Sequence, residues 1–316
     1  MPTAQTPATA ANTPKYVIIT LLFLSVLVFA WGGNYTWVKL ALQDSGPLTF
    51  NALRFLGATI IVGLCLISLG RSRVLLPEPG ERLLLGAIGF LQVALMTGLT
   101  SIAMLWIEAS RTVLIAYSMP VWALLISIWL LGERTTPTAV AGGALGLLGL
   151  VLLTEPWTMT WDSGNAFLGS AIALIATIGW ATGAVLYRTR RWRSSFWQQV
   201  FWQLAVAAVS VSLLAIIMER GTAFNPTPQY LAILLYNWIV PTSFGFWCWA
   251  QALSRISAAS AGQFLLLSPV FGVFLSNLVL DEPLHSSLLI SAFFILVGAF
   301  LSFQRSAVPP QTNTPG

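Results

Sequence analysis

Asn and Gln side chains lie inside three strongly apolar segments of the chain, and each belongs to a set of residues at helical spacing. In each set, successive members are three or four residues apart, which places them on one face of a helix. One set is Asn237, Pro241, Phe244, Cys248 and Gln251; the others are Gln92, Met96, Leu99, Ala103 and Trp106, and Gln263, Leu267, Val270, Phe274 and Asn277. Polar groups are costly in hydrocarbon, so such faces are typical of helices that line a cavity or contact a neighbouring helix.

Seven side chains have the chemistry to bind a small solute in such a cavity. The candidates are Trp31, Gln92, Tyr117, Trp180, Asn237, Trp249 and Gln263. Aromatic rings stack and attract an ammonium group over their faces, and amides exchange hydrogen bonds with polar groups. The alternative for Asn and Gln is a hydrogen bond between helices, and the alternative for Trp is packing or a position at the membrane interface.

Three prolines inside apolar segments are candidate helix hinges: Pro120, Pro241 and Pro269. A proline inside a helix lacks the N–H group and displaces the carbonyl four residues earlier. The carbonyls freed in this way belong to Ala116, Asn237 and Leu265. They could bind an ammonium group or only permit a bend, and the bend is the preferred interpretation, because kinks facing a cavity are tolerated where water or a solute satisfies the backbone.

Charged side chains are almost absent from the middle of the apolar segments. All Asp and Glu residues sit at or beyond a segment end, and the single histidine, His285, lies in a predicted loop. We therefore expect no buried proton relay, no metal site, no cofactor and no enzymatic activity. Arg54 is the exception. It could hold a substrate carboxylate, but snorkelling to the membrane interface is the preferred interpretation.

The composition excludes a water-soluble protein. Hydrophobic residues make up 57% of the chain and charged residues 8%, against roughly 25% charged residues in soluble domains. The net charge of +5 comes from basic residues dispersed between apolar segments, which indicates membrane topology and not nucleic acid as a partner. The composition predicts disordered tails at residues 1–15 and 304–316, which are rich in small polar residues, Ala and Pro.

Hydropathy predicts an all-α polytopic membrane protein with ten transmembrane helices. Their predicted bounds are 16–40, 47–69, 82–106, 112–132, 137–154, 165–187, 196–218, 229–252, 257–280 and 284–303. If the N-terminus is cytoplasmic, the inner segments hold Lys15, Arg71, Arg73, Arg82, Arg134, Arg188, Arg190, Arg191, Arg193, Arg255 and Arg305, and the outer segments hold Lys39, Arg111 and Arg220. This excess predicts that both termini are cytoplasmic.

The chain contains an internal repeat with an offset of 149 residues, the separation of Pro120 from Pro269. At this offset Glu133 falls on Glu282, Gly149 on Gly298, Trp31 on Trp180 and Lys39 on Arg188. The repeat predicts two five-helix units, residues 16–154 and 165–303. Because five is odd, the second unit enters the membrane from the opposite side, which is the arrangement of inverted-repeat carriers.

Several short motifs make the membrane portion similar to a known family. They are Ala30–Gly32 in the first segment, the prolines of the fourth and ninth, the pair Gly132 and Glu133, and the Gly-rich fifth segment; the second half has Asp281 and Glu282 in place of Gly-Glu. Residues 16–303 resemble the drug/metabolite transporter superfamily, in particular its bacterial ten-helix members with EamA-type repeats. Trp180–Ala181 followed by Tyr187 resembles the aromatic amino-acid exporters of this group.

The resemblance implies a central cavity between the third, fourth, eighth and ninth segments and export from a bacterial cell. We predict an alternating-access transporter of the cytoplasmic (inner) membrane for small neutral or zwitterionic metabolites, most of all amino acids with aromatic or hydrophobic side chains. The alternatives are a drug or other-metabolite efflux carrier, a proton antiporter that uses an end residue such as Glu108, and, from a different class, a lipid flippase or a structural membrane partner.

Overall fold

The computed structural model describes residues 14–68, 75–103, 106–107, 112, 115–133, 135–154, 157, 164–280 and 287–303. Nearly all of the two predicted tails lies outside these residues, and so do Glu108, Asp281, Glu282 and His285. Within the described ranges every regular element is a helix.

Ten spans, labelled α1 to α10 in chain order, form the bundle. The first half consists of α1 (Pro14–Gly32 and Asn34–Ala41), α2 (Pro47–Ser68), α3 (Arg82–Gly89, Phe90–Leu95 and Met96–Ala103), α4 (Met119–Leu131) and α5 (Pro137–Thr154). The second half consists of α6 (Gly164–Arg188), α7 (Phe196–Met218), α8 (Pro228–Asn237, Trp238–Phe244 and Gly245–Leu253), α9 (Ala258–Leu265 and Leu267–Leu280) and α10 (Ser287–Phe303). In the described part of the chain, six spans are long and apolar enough to cross a membrane, and four are shorter apolar helices. The protein is an all-α polytopic membrane protein, and its described residues contain ten transmembrane helices.

The helix contacts follow the symmetry of two inverted five-helix repeats. Helices that are equivalent in the two halves pack against each other, namely α2 on α7, α4 on α9 and α5 on α10. The contact between α3 and α6 has its counterpart between α8 and α1, and the contact between α4 and α6 has its counterpart between α9 and α1. The first and sixth spans therefore hold equivalent places in the bundle.

One end of the bundle, which we call the basic face, carries Arg82, Arg188, Arg190, Arg193 and Arg255. The two halves are tied together there by Glu133 at the end of α4, which accepts a hydrogen bond from Arg188 at the end of α6, with 2.5 Å between Oε1 and Nη1. Glu81, just before α3, accepts from the backbone N–H of Arg193 at 2.6 Å. The loop before α7 is therefore fixed against the start of α3.

At the opposite face the halves are tied by other carboxylates. Glu219, at the end of α7, accepts hydrogen bonds from the backbone N–H groups of Leu48 and Thr49 at 2.8 and 2.7 Å. These groups belong to the first turn of α2, where helix N–H groups lack partners within the helix and favour a negative charge. The Thr227 hydroxyl donates to Asp44 at 2.8 Å. Both faces therefore carry polar contacts that join the two halves.

Two π-helical segments occupy equivalent positions in the repeat. Phe90–Leu95 lies in α3 and Trp238–Phe244 in α8, and the repeat offset places Phe90 on Ile239. A π-turn advances the chain by an extra residue and rotates everything that follows. Phe244, at the end of the π-helical segment, departs from the predicted face of α8 and is 39% exposed, whereas Asn237, Pro241 and Cys248 are buried.

Two of the three candidate hinge prolines lie in the first turn of a helical segment and not inside a continuous helix, and their role as hinges stays a prediction. α4 begins at Met119, so Pro120 lies in its first turn. α9 is interrupted at Leu266, and Pro269 lies in the first turn of its second part, which begins at Leu267. A proline is tolerated in a first turn, because the missing N–H would have no partner in the helix. Pro241 alone of the three lies inside a helix, in the π-helical segment of α8.

Candidate functional site

Three tryptophans from three spans form a continuous ring cluster inside the bundle. The ring centroids of Trp180 on α6 and Trp249 on α8 are 4.7 Å apart, and those of Trp31 on α1 and Trp249 are 5.9 Å apart. Trp31 and Trp180 are equivalent in the repeat, and Trp249 contacts both. The cluster therefore joins the two halves through the ring of Trp249. This ring has no aromatic counterpart in the first half, because the residue equivalent to Trp249 is Thr100.

The π-helical segment of α8 fixes the orientation of Trp31. Its indole Nε1 donates a hydrogen bond of 2.8 Å to the carbonyl of Pro241. A side chain at Gly245 would bring its Cβ within 2.8 Å of the same nitrogen, so the close approach requires glycine there. In the same segment the Ser243 hydroxyl donates to the carbonyl of Trp238 at 2.6 Å. Two backbone carbonyls of the π-helical segment thus accept hydrogen bonds from side chains of the protein. These two carbonyls do not need a bound solute as a hydrogen-bond donor.

Three polar atoms in this part of the bundle have no hydrogen-bond partner in the described structure. They are Nε1 of Trp249, Nε2 of Gln92 and Oδ1 of Asn237, in side chains that are 2%, 2% and 0% exposed. Each unpaired buried group costs about 1–3 kcal/mol. Two donors, on α3 and α8, and one acceptor, on α8, are therefore buried without a partner in the described structure.

Gln92 lies against the helix that carries Trp180. A Cβ at Gly183 of α6 would be 2.5 Å from Cγ of Gln92, and Gly183 is less than one turn from Trp180 along the helix. Gln92 and Trp249 therefore contact the same stretch of α6. Met96, about one turn after Gln92, packs against the hydrophobic cluster that contains both Trp180 and Trp249.

The remaining predicted candidates are placed differently. Tyr117 is buried in the same hydrophobic cluster as Trp180 and Trp249. Asn237 uses its Nδ2 within its own helix, where it donates to the carbonyl of Ile233 at 3.0 Å. Gln263 joins α9 to α5, because its Nε2 donates a hydrogen bond of 2.8 Å to the carbonyl of Gly142. Its amide nitrogen is therefore already paired.

Arg54 reaches into the bundle, which corrects the preferred expectation of snorkelling. Its Nε donates a hydrogen bond of 2.6 Å to Oγ1 of Thr242, a fully buried residue of the π-helical segment in α8. Thr242 follows Pro241, whose carbonyl holds Trp31. A permanently charged guanidinium is thus attached to the same segment as the ring cluster.

Sequence reasoning missed Phe246, whose ring centroid lies 5.6 Å from that of Trp31. It precedes Trp249 by three residues, so helical spacing from Trp249 could have identified it. The signal was hidden because aromatic residues make up 12% of the chain, and most lie on no predicted polar face. Phe246 and Trp249 together enclose Trp31 from the side of α8.

Comparison with known proteins gives the same architecture and a functional class. The EamA-like transporter family matches residues 18–155 and again 167–304. A Bacillus subtilis protein named "Uncharacterized transporter YoaV" is 26% identical over 296 residues, which cover 90% of this chain and 97% of that protein. An Escherichia coli protein named "Probable amino-acid metabolite efflux pump" is 24% identical over 292 residues, 88% of this chain and 92% of that protein.

A solved structure described as "Crystal structure of protein" is similar to this one with a TM-score of 0.77 at 22% sequence identity. The match covers 90% of this chain and 96% of that chain. At this identity the likeness shows the fold alone.

Proposed function

The chain belongs to the EamA-like transporter family, and from this premise we propose that it moves small neutral or zwitterionic metabolites across the membrane by alternating access. Amino acids with aromatic or hydrophobic side chains are the proposed substrates. The chain is a transporter and not an enzyme; the substrate class, the direction and the residues that bind the substrate are the proposal.

The observation that carries this proposal is the ring cluster of Trp31, Trp180 and Trp249 beside unpaired polar atoms. An amino acid has an apolar side chain for the rings, a carboxylate that accepts hydrogen bonds, and an ammonium group that is attracted to ring faces. Nε1 of Trp249 and Nε2 of Gln92 are buried donors, which a carboxylate would satisfy. A buried donor that finds its acceptor only in the substrate provides selectivity, because an analogue without the acceptor leaves it unpaired.

The inverted repeat supports alternating access. Two units of one sequence pattern, proposed as residues 16–154 and 165–303, can exchange conformations and so open the same site to either face. Carboxylates join the halves at both faces, through Glu133 with Arg188 at one and Glu219 with Thr49 at the other. Opening either face requires the contacts there to separate.

We propose that the basic face is cytoplasmic, which places both termini in the cytoplasm of a bacterial cell and the protein in its cytoplasmic membrane. The excess of Lys and Arg on that side supports this orientation. Export is supported by the relatives named "Probable amino-acid metabolite efflux pump" in Escherichia coli and Salmonella typhimurium. Transport without a buried proton relay is supported by the sequence, because every carboxylate sits at or beyond the end of a predicted span.

The test is a flux assay with purified protein in liposomes and a panel of labelled amino acids, nucleosides and sugars. We expect flux of aromatic and hydrophobic amino acids above that of protein-free liposomes, and the same flux when a pH gradient is dissipated. Flux of nucleosides or sugars without amino-acid flux would overturn the substrate class. Flux that disappears with the pH gradient would overturn the mode of coupling.

A further inference from the structure

A groove of about 620 Å³ runs along the outside of the bundle at the basic face. Its walls are Leu83, Gly86, Ala87 and Phe90 of α3 and Trp202 of α7. Leu83 is 88% exposed and Phe90 is exposed too, so this apolar wall faces the surroundings of the bundle. Small residues at Gly86 and Ala87 between the larger Phe90 and Trp202 give the groove its depth.

Cationic side chains are fixed at the end of this groove. Arg82 lines it and donates from Nε to the carbonyl of Pro77 at 2.9 Å. Arg190, from the loop before α7, donates from Nη1 to the carbonyl of Gly80 at 2.6 Å, next to Pro79, which also lines the groove. The backbone thus holds both guanidinium groups close to the mouth.

The same loop adds two further cations, and two acids lie nearby. Arg191 and Arg193 are exposed. Glu78 is exposed, whereas Glu81 is buried and accepts hydrogen bonds from the backbone and hydroxyl of Ser194. The mouth of the groove is therefore positively charged. Its four arginines outnumber the two glutamates, and one of these, Glu81, is already hydrogen-bonded to its own partners.

Trp202 has the position of a ring at a membrane interface. Its Nε1 donates to the carbonyl of Arg82 at 2.9 Å, while its ring lines the groove. Tryptophan is enriched at the level of lipid headgroups, where one side of the ring is apolar and the N–H meets polar groups. The polar and apolar parts of the groove therefore meet at this ring, as the headgroup and the acyl chains meet in a phospholipid.

The inverted repeat provides an internal comparison, because the equivalent place at the opposite face lies between α8 and α2. At the repeat offset, the following residues of the groove and its mouth have apolar equivalents there: Arg82 corresponds to Leu231, Arg190 to Ala41, Arg191 to Leu42, Gly86 to Leu235 and Trp202 to Leu53. Neither the small residues nor the cations are retained. The fold therefore requires neither the small residues nor the cations of the groove. A general excess of basic residues at one face would explain the cations, but it would not explain the small residue at Gly86.

We propose that this groove binds one anionic phospholipid of the adjoining leaflet, with its phosphate between Arg82 and Arg190 and an acyl chain along Gly86 and Phe90. Basic pockets between transmembrane helices are the recognised setting for such lipids. The inference is independent of the transported substrate, because the groove lies on the outer surface of α3 and α7 and shares no residue with the ring cluster.

Native mass spectrometry of the detergent-purified protein with added phosphatidylglycerol or phosphatidylcholine tests this proposal. We expect the wild-type protein to retain one phosphatidylglycerol at several-fold lower lipid concentration than phosphatidylcholine. The double variant Arg82→Gln with Arg190→Gln is expected to lose this preference. Arg220→Gln is the control, because Arg220 is an exposed arginine at the opposite face, and it should behave like the wild type.

A second variant tests the contribution of the apolar groove to lipid binding separately from that of the arginines. Gly86→Leu introduces the residue that the opposite face has at Leu235, and a Cβ at Gly86 meets Nε1 of Trp202 only at 3.5 Å, which is ordinary contact. We expect this variant to fold and to retain neither lipid. Equal retention of both lipids by the wild type, or unchanged retention by Gly86→Leu, would overturn the proposal.

Discussion

The two π-helical spans, α3 and α8, occupy equivalent places in the two halves but are stabilised differently. α8 contains Pro241, whose carbonyl is held by Trp31. α3 has Gln92 at the equivalent position, and its amide nitrogen is buried without a partner. The π-turn therefore does not depend on proline. It belongs to the shared fold, and the difference lies at one equivalent position: the carbonyl of Pro241 in α8 has a partner, whereas the amide nitrogen of Gln92 in α3 has none.

The start of each of these spans differs as well. Glu81 precedes α3 and joins it to the loop before α7 through hydrogen bonds from Arg193 and Ser194. The equivalent residue in the second half is Tyr230, in the first turn of α8, a fully buried ring that packs on Phe50 with centroids 6.0 Å apart. One half is anchored by a titratable carboxylate and the other by an aromatic contact.

The largest effect is expected at the contact that holds α3 against α7. A Cβ at Gly89 would lie 2.6 Å from the backbone Cα of Gln203, and backbone cannot move aside cheaply. Gly89→Ala should lower the free energy of unfolding in detergent by about 3 kcal/mol. Gly86→Ala is the control in the same helix, because its Cβ has only ordinary contacts, and it should unfold no more easily than the wild type. Equal stability of the two variants would contradict this account of the α3 contact.

Glu81→Gln should have the next largest effect, because it weakens the charged anchor of α3. Hydrogen bonds to a charged group contribute about 1.5–3 kcal/mol, so we expect a loss of about 2 kcal/mol at neutral pH. Glu78→Gln is the control, since Glu78 is an exposed carboxylate three residues away. Thermal unfolding monitored by circular dichroism gives the measurement.

The pH dependence sharpens the same comparison. Burial raises the pKa of Glu81, but hydrogen bonds from Arg193 and Ser194 and the nearby charge of Arg190 outweigh it, so the pKa lies below its usual 4.5. A lowered pKa stabilises the folded state above the unfolded pKa, and this contribution is lost as the pH falls through the folded value. The melting temperature of the wild type should therefore decrease below about pH 4.5, and that of Glu81→Gln should decrease less. Parallel curves would contradict the assignment.

Trp31→Phe tests the internal contact of α8 and should have a smaller effect. It keeps a ring but removes the hydrogen bond to the carbonyl of Pro241. We expect a loss of about 1 kcal/mol in the free energy of unfolding. Trp157→Phe, at an exposed residue, is the control and should leave the melting temperature unchanged. A wild-type melting temperature for Trp31→Phe would show that this contact does not hold α8.

The smallest effect, and one of opposite sign, is expected at Gln92. Gln92→Leu removes an unpaired buried amide, so the free energy of unfolding should stay the same or rise by up to about 1 kcal/mol. Gln263→Leu is the matched substitution at an amide that is bonded to the carbonyl of Gly142, and it should destabilise the protein. If both variants lose stability equally, Gln92 has a partner in solution and is not an open donor.

The sequence was sufficient for the architecture, because hydrophobic length and the repeat depend on composition along the chain. The fifth span, Pro137–Thr154, and the seventh, Phe196–Met218, have the bounds that hydropathy predicted. The residues Trp31 and Trp180 were singled out because they coincide in the repeat, and the structure brings both into contact with Trp249.

The details that position the site could not be predicted in this way. Hydropathy does not distinguish a π-turn from an α-turn, so the departure of Phe244 from the predicted face was missed. Pairing of Gln263 with Gly142 and of Arg54 with Thr242 depends on which helices are neighbours in space. The central position of Trp249 breaks the repeat symmetry, and the repeat therefore gave no indication of it.

The most direct test of the central claim is the transport of a labelled aromatic amino acid by Trp249→Phe in liposomes. Phe keeps a ring in the cluster but has no N–H group, and loss of a hydrogen bond to a carboxylate should raise KM about tenfold. Trp129→Phe is the matched control, because Trp129 is 86% exposed on the surface of α4, and its KM should equal that of the wild type. A wild-type KM for Trp249→Phe, or the same increase for both variants, would contradict the assignment of the ring cluster as the substrate site.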